Sequence, residues 1–383
     1  SMANYDYEIV NGRKIRVRPK ETVSEIDKNG YFRRQPNHFT TPFGDGENDL
    51  KAEGNKRYRL VWAKLCHWSN RAAIVRELEG LEDQISVNMV EHAPHGKNLG
   101  WEYVYNENNI DPVLGDQFLS EAYYRADDDY QGRTTVPALI DTTTGKVVNN
   151  DYNWLTTYFE VNFRPWHKKG APELYPVELR EEIDKMNLWL FDNINNAVYR
   201  SSFSRSNEGH FDGVNTFYAA MDRLEKRLET NRFLFGDYVT DSDIRLYVTL
   251  ARLDIRYTAQ LGETKRPLYT YKNLWGYAKE LWEIPAFAHH TDFAAIIRQG
   301  RIEGEEDGFR ASTHYDLALP KIDWDAQWKV STERAYLSSD PTHPIYLGNN
   351  RRFDIDPTWY DLGAESPKKE EKETPPSCGC CCG

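Results

Sequence analysis

The chain changes its hydropathic period several times. Arg57 to Lys64 alternates apolar and polar positions as a strand does, whereas Asn70 to Leu81 sets its apolar residues at three- and four-residue steps, as one face of a helix does. Leu65-Cys66-His67-Trp68-Ser69 lies between them, so the pattern predicts Cys66 at the entrance to a helix. A second strand is predicted at Gln84 to Val90. Pro137 then stands directly ahead of the apolar run to Asp141, with a Thr-Thr-Gly turn and Val147-Val148 after it. From Pro172 the helical period takes over, at Val177 to Arg200, Asp212 to Thr230, Asp241 to Tyr257, Asn273 to Trp282 and Phe287 to Ile302. Thr240-Asp-Ser-Asp243 reads as a capping box at the start of the third of these.

The order strand, helix, strand, proline, two strands and helix is that of a thioredoxin-like domain. The expected fold class is therefore an α/β thioredoxin-like N-terminal domain followed by an all-α C-terminal domain, the architecture of cytosolic glutathione transferases. The expected divisions are an extension with a hairpin over 1–53, the thioredoxin-like domain over 54–165 with a long insertion at 91–132, and the helical domain over 166–310. An irregular extension at 311–360 and a disordered tail at 361–383 complete the chain, the latter too charged and proline-rich to pack.

A net charge of -12 over 383 residues argues against nucleic acid and anionic membrane as partners. No apolar run approaches the roughly 20 residues needed to cross a bilayer, which with the cysteine usage leads to a cytoplasmic expectation. The one basic stretch, Arg13 to Lys20, comes after Asn11-Gly12 and reads as a hairpin with a charged outer face. Of five cysteines four lie in the last six residues, so thiol chemistry in the body rests on Cys66.

A cysteine at a helix N-terminus sits among free N–H groups and the positive end of the dipole, which lower its pKa from about 8.5. His67 and Arg71 are candidates to assist that ionisation. Ser69 occupies the place of a resolving cysteine in Cys-x-x-Ser, so a mixed disulfide on Cys66 must be released by an external small thiol. The alternative is a buried cysteine acting as a small hydrophobe. A proline ahead of a strand suits a cis bond and leaves the Val136 backbone to pair with an extended peptide.

Gly30-Tyr-Phe-Arg33, Arg57-Tyr58 to Cys66-His-Trp68, Ile74-Val-Arg76, Gly100-Trp101, Gly132-Arg133, Thr135-Val-Pro137, Ile194-Asn-Asn-Ala-Val-Tyr199, Asp243-Ile-Arg-Leu246 and Asn273-Leu-Trp-Gly-Tyr277 succeed one another in an order that resembles the glutathionyl-hydroquinone reductases, the xi class of glutathione transferases. The resemblance spans roughly residues 25 to 295. It implies a homodimeric enzyme with glutathione as cosubstrate, no tightly bound cofactor, and glutathionyl conjugates or quinones as small-molecule partners. It implies Cys66 as nucleophile and a glutathione site at Trp101, Arg133, Val136, Asp151 and Tyr152. The last two stand where the family has Glu-Ser. Tyr199 and Tyr257 match its aromatic acceptor pocket. His67 replaces the proline of the family's Cys-Pro-Trp, and Gln260 replaces a histidine.

Two further readings fit the residues. One is a related transferase using another low-molecular-weight thiol, motivated by Tyr152 and His67. The other is a non-catalytic redox sensor or metal-handling protein acting through Cys378, Cys380, Cys381 and Cys382, soft ligands that could hold Cu(I) or Zn(II). No metal site is expected in the body.

Overall fold

The computed structural model describes residues 5–19, 24–92, 97–262, 266–303, 323–330 and 333–338. The Cys-rich tail with Cys378, Cys380, Cys381 and Cys382 lies outside them, as does most of 311–360. Among the described residues no helix is long and apolar enough to cross a membrane.

The chain opens with a hairpin, Tyr7–Val10 (β1) against Arg13–Arg16 (β2). Asn11 and Gly12 take φ of 51° and 79°, the left-handed pair that a type I′ turn needs. The expected charged outer face is only partly there. Arg16 is buried, with its guanidinium over the rings of Tyr5 and Tyr124 and donating to the Asp128 and Tyr130 carbonyls.

Beyond the hairpin the chain builds a four-stranded sheet. Tyr58–Trp62 (β3) leads into helix His67–Leu78 (α1) and returns as Ile85–Met89 (β4), parallel to β3 as a helical crossover requires. The stretch 91–132 holds a short ribbon of Glu91–His92 (β5) and Trp101–Glu102 (β6), then helix Ser120–Ala126 (α2). Its order rests on polar anchors rather than on periodic apolar faces. Buried Asp111 pairs with Arg59 of β3, and Glu102 accepts from Asn109 and Gln117. Ala138–Asp141 (β7) lies antiparallel to β3, and Lys146–Asn149 (β8) completes the order β4-β3-β7-β8. The Val136–Pro137 bond ahead of β7 is cis.

Helix Leu155–Val161 (α3) packs with α1 and leads to the helical half. There the apolar period predicts unbroken helices, and the chain departs from it twice. Val177 to Arg200 resolves into Arg180–Leu190 (α4), a π-turn at Phe191–Asn195, and Ala197–Phe203 (α5). Asn207–Thr230 (α6) then packs on α5 closely enough that a Cβ at Gly213 would meet the Ser201 nitrogen at 2.5 Å. Asp241–Arg252 (α7), opened by the Thr240/Asp243 capping box, runs into a second π-turn at Leu253–Tyr257. One extra residue in a turn rephases the succeeding turns by about 100°. Tyr199 comes just after the first π-turn and Tyr257 closes the second. The last helices are Thr258–Leu261 (α8), Lys272–Trp282 (α9), Pro285–His289 (α10), Phe293–Glu303 (α11) and Trp324–Trp328 (α12). Trp328 of α12 is buried against Tyr247, Trp275 and Phe293.

The two halves meet through α1 and α7, and the seam is ionic. Arg245 of α7 donates to Asp241 at 2.7 Å and to Asn153 at 2.8 Å. Glu160 of α3 is fully buried beside Asp241, and neither of its oxygens receives an N–H or hydroxyl donor from the described residues. Burial and the neighbouring Asp241 charge push Glu160 well above the carboxylate range. Burial acts the same way on Asp241, but Arg245 and Arg71 outweigh it and hold that group ionised. The pair therefore carries one proton, on Glu160.

An acid whose pKa is raised by folding lowers stability as pH climbs from its unfolded value, near 4.3, toward its folded one. Glu160→Gln keeps a donor toward Asp241 without the titration. It is expected to stabilise the protein at pH 7 by about 1 to 3 kcal/mol, the scale of one mismatched buried polar group. Urea titrations from pH 4.5 to 8 should show the gain growing with pH.

Candidate active site

Cys66 is the N-cap residue of α1, in extended conformation, and its carbonyl accepts from the Asn70 N–H at 3.0 Å. Its Sγ lies 3.9 Å from the Val136 carbonyl oxygen, so the cis-proline loop abuts the sulfur. The residue is fully buried, and its sulfur is in a disulfide. Ser69 is engaged with the backbone of the preceding turn, accepting from the Ala63 N–H at 3.1 Å and lying 3.3 Å from the Ala63 carbonyl.

Arg252 of α7 fixes this turn from across the domain seam. It is fully buried and donates to the Leu65 and Lys64 carbonyls at 2.7 Å each, to Asn70 Oδ1 at 3.1 Å and to the Val248 carbonyl at 2.8 Å. Asn70 Nδ2 passes the connection on to the His290 carbonyl at 2.8 Å.

His67 does not supply the positive charge expected of it as a thiol activator. Burial, and then Arg252, Arg34, Arg71 and Arg256, drive its pKa well below the ordinary value and leave the ring neutral. Its Nδ1 meets Thr249 Oγ1 at 3.0 Å and the Tyr257 hydroxyl at 3.1 Å, and the Tyr257 hydroxyl meets that of Tyr199 at 2.9 Å. Tyr199 and Tyr257, one from each half of the helical domain's centre, are thus brought to the residue after Cys66. Arg71 is likewise committed elsewhere, donating to the Tyr152 carbonyl and lying within the field of Asp241, Arg245 and Glu160.

The other predicted residues form two groups. Tyr152 is fully buried, 4.4 Å from the Trp68 ring, and Asp151 turns the chain into α3 by accepting from the Asn153 N–H. Burial raises Asp151 to about 7 against the hydrogen bonds from Asn153 and Trp154. Arg133 is buried and pairs at 2.9 Å with Glu25, while Trp101 stacks on His92 with ring centroids 4.1 Å apart. Val136 closes the site beside Cys66. Among the described residues no three His, Cys, Asp or Glu side chains are grouped to hold a metal ion.

Glu25 and Arg34 come from the N-terminal extension and carry no periodic signal in the sequence. Arg34 lies over the rings of Trp68 and Tyr199 at 4.8 and 5.1 Å and donates to Asn196 at 2.8 Å. Thr249 and Asn195, which join the His67 network through a 2.8 Å bond, sit on helix faces that read as core. The signal available for them was polarity inside an apolar run.

A cysteine capping the first helix of a thioredoxin-like sheet, facing a cis-proline and covered by an all-helical domain, defines a glutathione transferase. Residues 198–280 match the glutathione S-transferase C-terminal domain. The chain is 35% identical over 281 residues to the glutathione S-transferase omega-like 2 of Schizosaccharomyces pombe, covering 70% of this chain and 88% of that protein. It is 34% identical over 245 residues to the glutathionyl-hydroquinone reductase YqjG of Escherichia coli, covering 63% and 73%. Among solved structures, the xi glutathione transferase of Phanerochaete chrysosporium superposes with a TM-score of 0.69 at 30% identity, over 80% of this chain and 96% of that one. The glutathione-bound structure of the E. coli protein gives 0.66 at 30%, over 77% and 95%. The chain belongs to the glutathionyl-hydroquinone reductase family, the xi class of glutathione transferases.

Arg252→Lys keeps the charge and loses the planar fork that serves several carbonyls at once. With buried acceptors left unpaired, the variant should unfold about 3 kcal/mol more easily in urea. Limited proteolysis should then cut first near Lys64.

Proposed function

We propose that this enzyme removes glutathione from glutathionyl-hydroquinone conjugates through a mixed disulfide on Cys66. The observation that carries this reading is Cys66 as N-cap of α1 beside the cis Val136–Pro137 loop, with buried donors near it that have no acceptor among the described residues. Trp68 Nε1, Arg71 Nε and the Tyr152 hydroxyl are each buried and unpartnered there. Each costs about 1 to 3 kcal/mol if left so, and all are satisfied by a ligand rich in acceptors, such as the carboxylates and amides of glutathione or the oxygens of a hydroquinone.

The cycle starts from reduced Cys66, its thiolate held by the α1 N–H groups and dipole. The thiolate attacks the glutathionyl sulfur, the sulfur–ring bond breaks, and the ring leaves with that electron pair and one proton as hydroquinone. Ser69 offers no thiol, so a second glutathione attacks the mixed disulfide, regenerating Cys66 and leaving as glutathione disulfide. Arg133 receives a glutathione carboxylate in place of Glu25, Val136 pairs with the peptide backbone, and Trp101 flanks it. Asp151 binds the γ-glutamyl ammonium. Tyr199 and Tyr257 line the acceptor side.

Intact-mass spectrometry of the reduced protein after one equivalent of a glutathionyl-hydroquinone tests the scheme. Wild type is expected to carry one glutathione on Cys66 and release one hydroquinone. Cys66→Ser should carry none and turn over at background; adduct on another residue, or undiminished turnover, refutes the reading.

Asp151 at about 7 gives a second check. Only its ionised form pairs with an ammonium, so glutathione KM should fall as pH rises through about 7. Asp151→Asn should flatten that dependence and raise KM roughly tenfold above pH 8, a loss of about 1.4 kcal/mol.

A further inference from the structure

We infer that His67 is a neutral proton relay, which delivers to the departing hydroquinone ring the proton that the first half of the cycle consumes. The inference rests on the Cys66 reading and adds to it a role for the residue that this chain carries in place of proline.

The geometry is a file of four groups. Tyr199 and Tyr257 share a hydroxyl contact of 2.9 Å, Tyr257 reaches His67 Nδ1 at 3.1 Å, and Thr249 reaches the same nitrogen at 3.0 Å. Thr249 Oγ1 already accepts from Asn195 Nδ2 at 2.8 Å, which leaves its own proton to point at Nδ1. Flanked by two hydroxyl donors, Nδ1 is an acceptor and the ring proton resides on Nε2. That Nε2 is fully buried and has no partner among the described residues. A buried donor one residue from the nucleophile, backed by a chain of hydroxyls, is built to meet a ligand atom that needs a proton.

The charged groups that act most strongly on the ring are cationic, Arg252, Arg34, Arg71 and Arg256. They disfavour imidazolium, so His67 does not act by gaining a proton first. It exchanges tautomers. As the Cys66 sulfur bonds to the glutathionyl sulfur and the sulfur–ring bond breaks, Nε2–H gives its proton to the leaving ring while Nδ1 takes that of Tyr257. Tyr257 is resupplied by Tyr199, and a proton from water restores the pair. The negative charge that began on the Cys66 thiolate rests meanwhile on the tyrosine oxygens. Arg34 lies 5.1 Å over the Tyr199 ring and Arg256 5.7 Å over that of Tyr257, placed to stabilise it. No oxidant or further reductant enters this step.

The relay needs both ring nitrogens, which separates it from a packing role. Gln approximates Nε2 and Asn approximates Nδ1, and neither connects the two. In stopped-flow single turnovers of the reduced protein with a glutathionyl-hydroquinone, hydroquinone release should slow about 100-fold in His67→Gln, in His67→Asn and in Tyr257→Phe, within the usual span for general acid catalysis. Release of glutathione from pre-glutathionylated Cys66 by a second glutathione uses no ring proton and should stay within twofold of wild type. The double variant His67→Gln/Tyr257→Phe should be no slower than either single one. Hydroquinone release at wild-type speed in His67→Gln or His67→Asn overturns the relay alone. Slowing of both half-reactions alike also overturns it, since that is the mark of a misfolded site. Absence of glutathione capture by wild-type Cys66 overturns the parent scheme and the relay with it.

Discussion

Helix α1 has no solvent face: eleven of its twelve residues are buried, among them His67, Ser69, Asn70, Arg71 and Arg76. A helix enclosed on all sides would ordinarily be apolar all round. Here each polar side chain has to be answered by a partner from another element, and those answers fix the molecule. Ser69 closes the turn from β3, Asn70 ties α10 to α7 through Arg252, Arg76 donates to the Ile85 and Glu82 carbonyls, and Arg71 holds the start of α3. Breaking one such answer strands a buried group, so the position of Cys66 is specified by polar satisfaction more than by apolar area.

The same enclosure explains the local electrostatics. The chain as a whole carries a net charge of -12, yet four guanidinium groups act on His67 and its surroundings. Of these four, Arg71 is offset by the Asp241 carboxylate. The result is a cationic surrounding that keeps the imidazole neutral. In the cycle proposed above, thiol ionisation and proton delivery fall to different groups, the helix terminus for the first and the histidine–tyrosine file for the second.

The order of strands and helices was legible because periodicity reports apolar positions; one-sided faces are found at α6 and α9, whereas β3, α1 and α7 are buried on nearly every side. Cys66 was legible from its place between two periods. The π-turns at Phe191–Asn195 and Leu253–Tyr257 were not, because apolar residues recur at three- and four-residue steps on both sides of each and mask the inserted residue. His67 and Arg71 were expected to serve the thiol because they are near it in sequence. Proximity along a helix says little about direction: Nδ1 of His67 turns to the helical domain, and Arg71 turns to the start of α3. Glu25 and Arg34 come from a stretch held by isolated bridges such as Ile26 to Phe32, which leave no period to read.

That stretch carries a consequence for how such an enzyme diversifies. The sulfur chemistry is embedded in packed helices whose residues are constrained by many partners at once, whereas Glu25 and Arg34 reach the pocket from a strap with little regular structure. In the proposed cycle, substitutions along the strap would alter the surroundings of Arg133 and Trp68 without disturbing the buried lattice around Cys66. Selection for a new conjugate has, in this architecture, a place to act that leaves the catalytic centre intact.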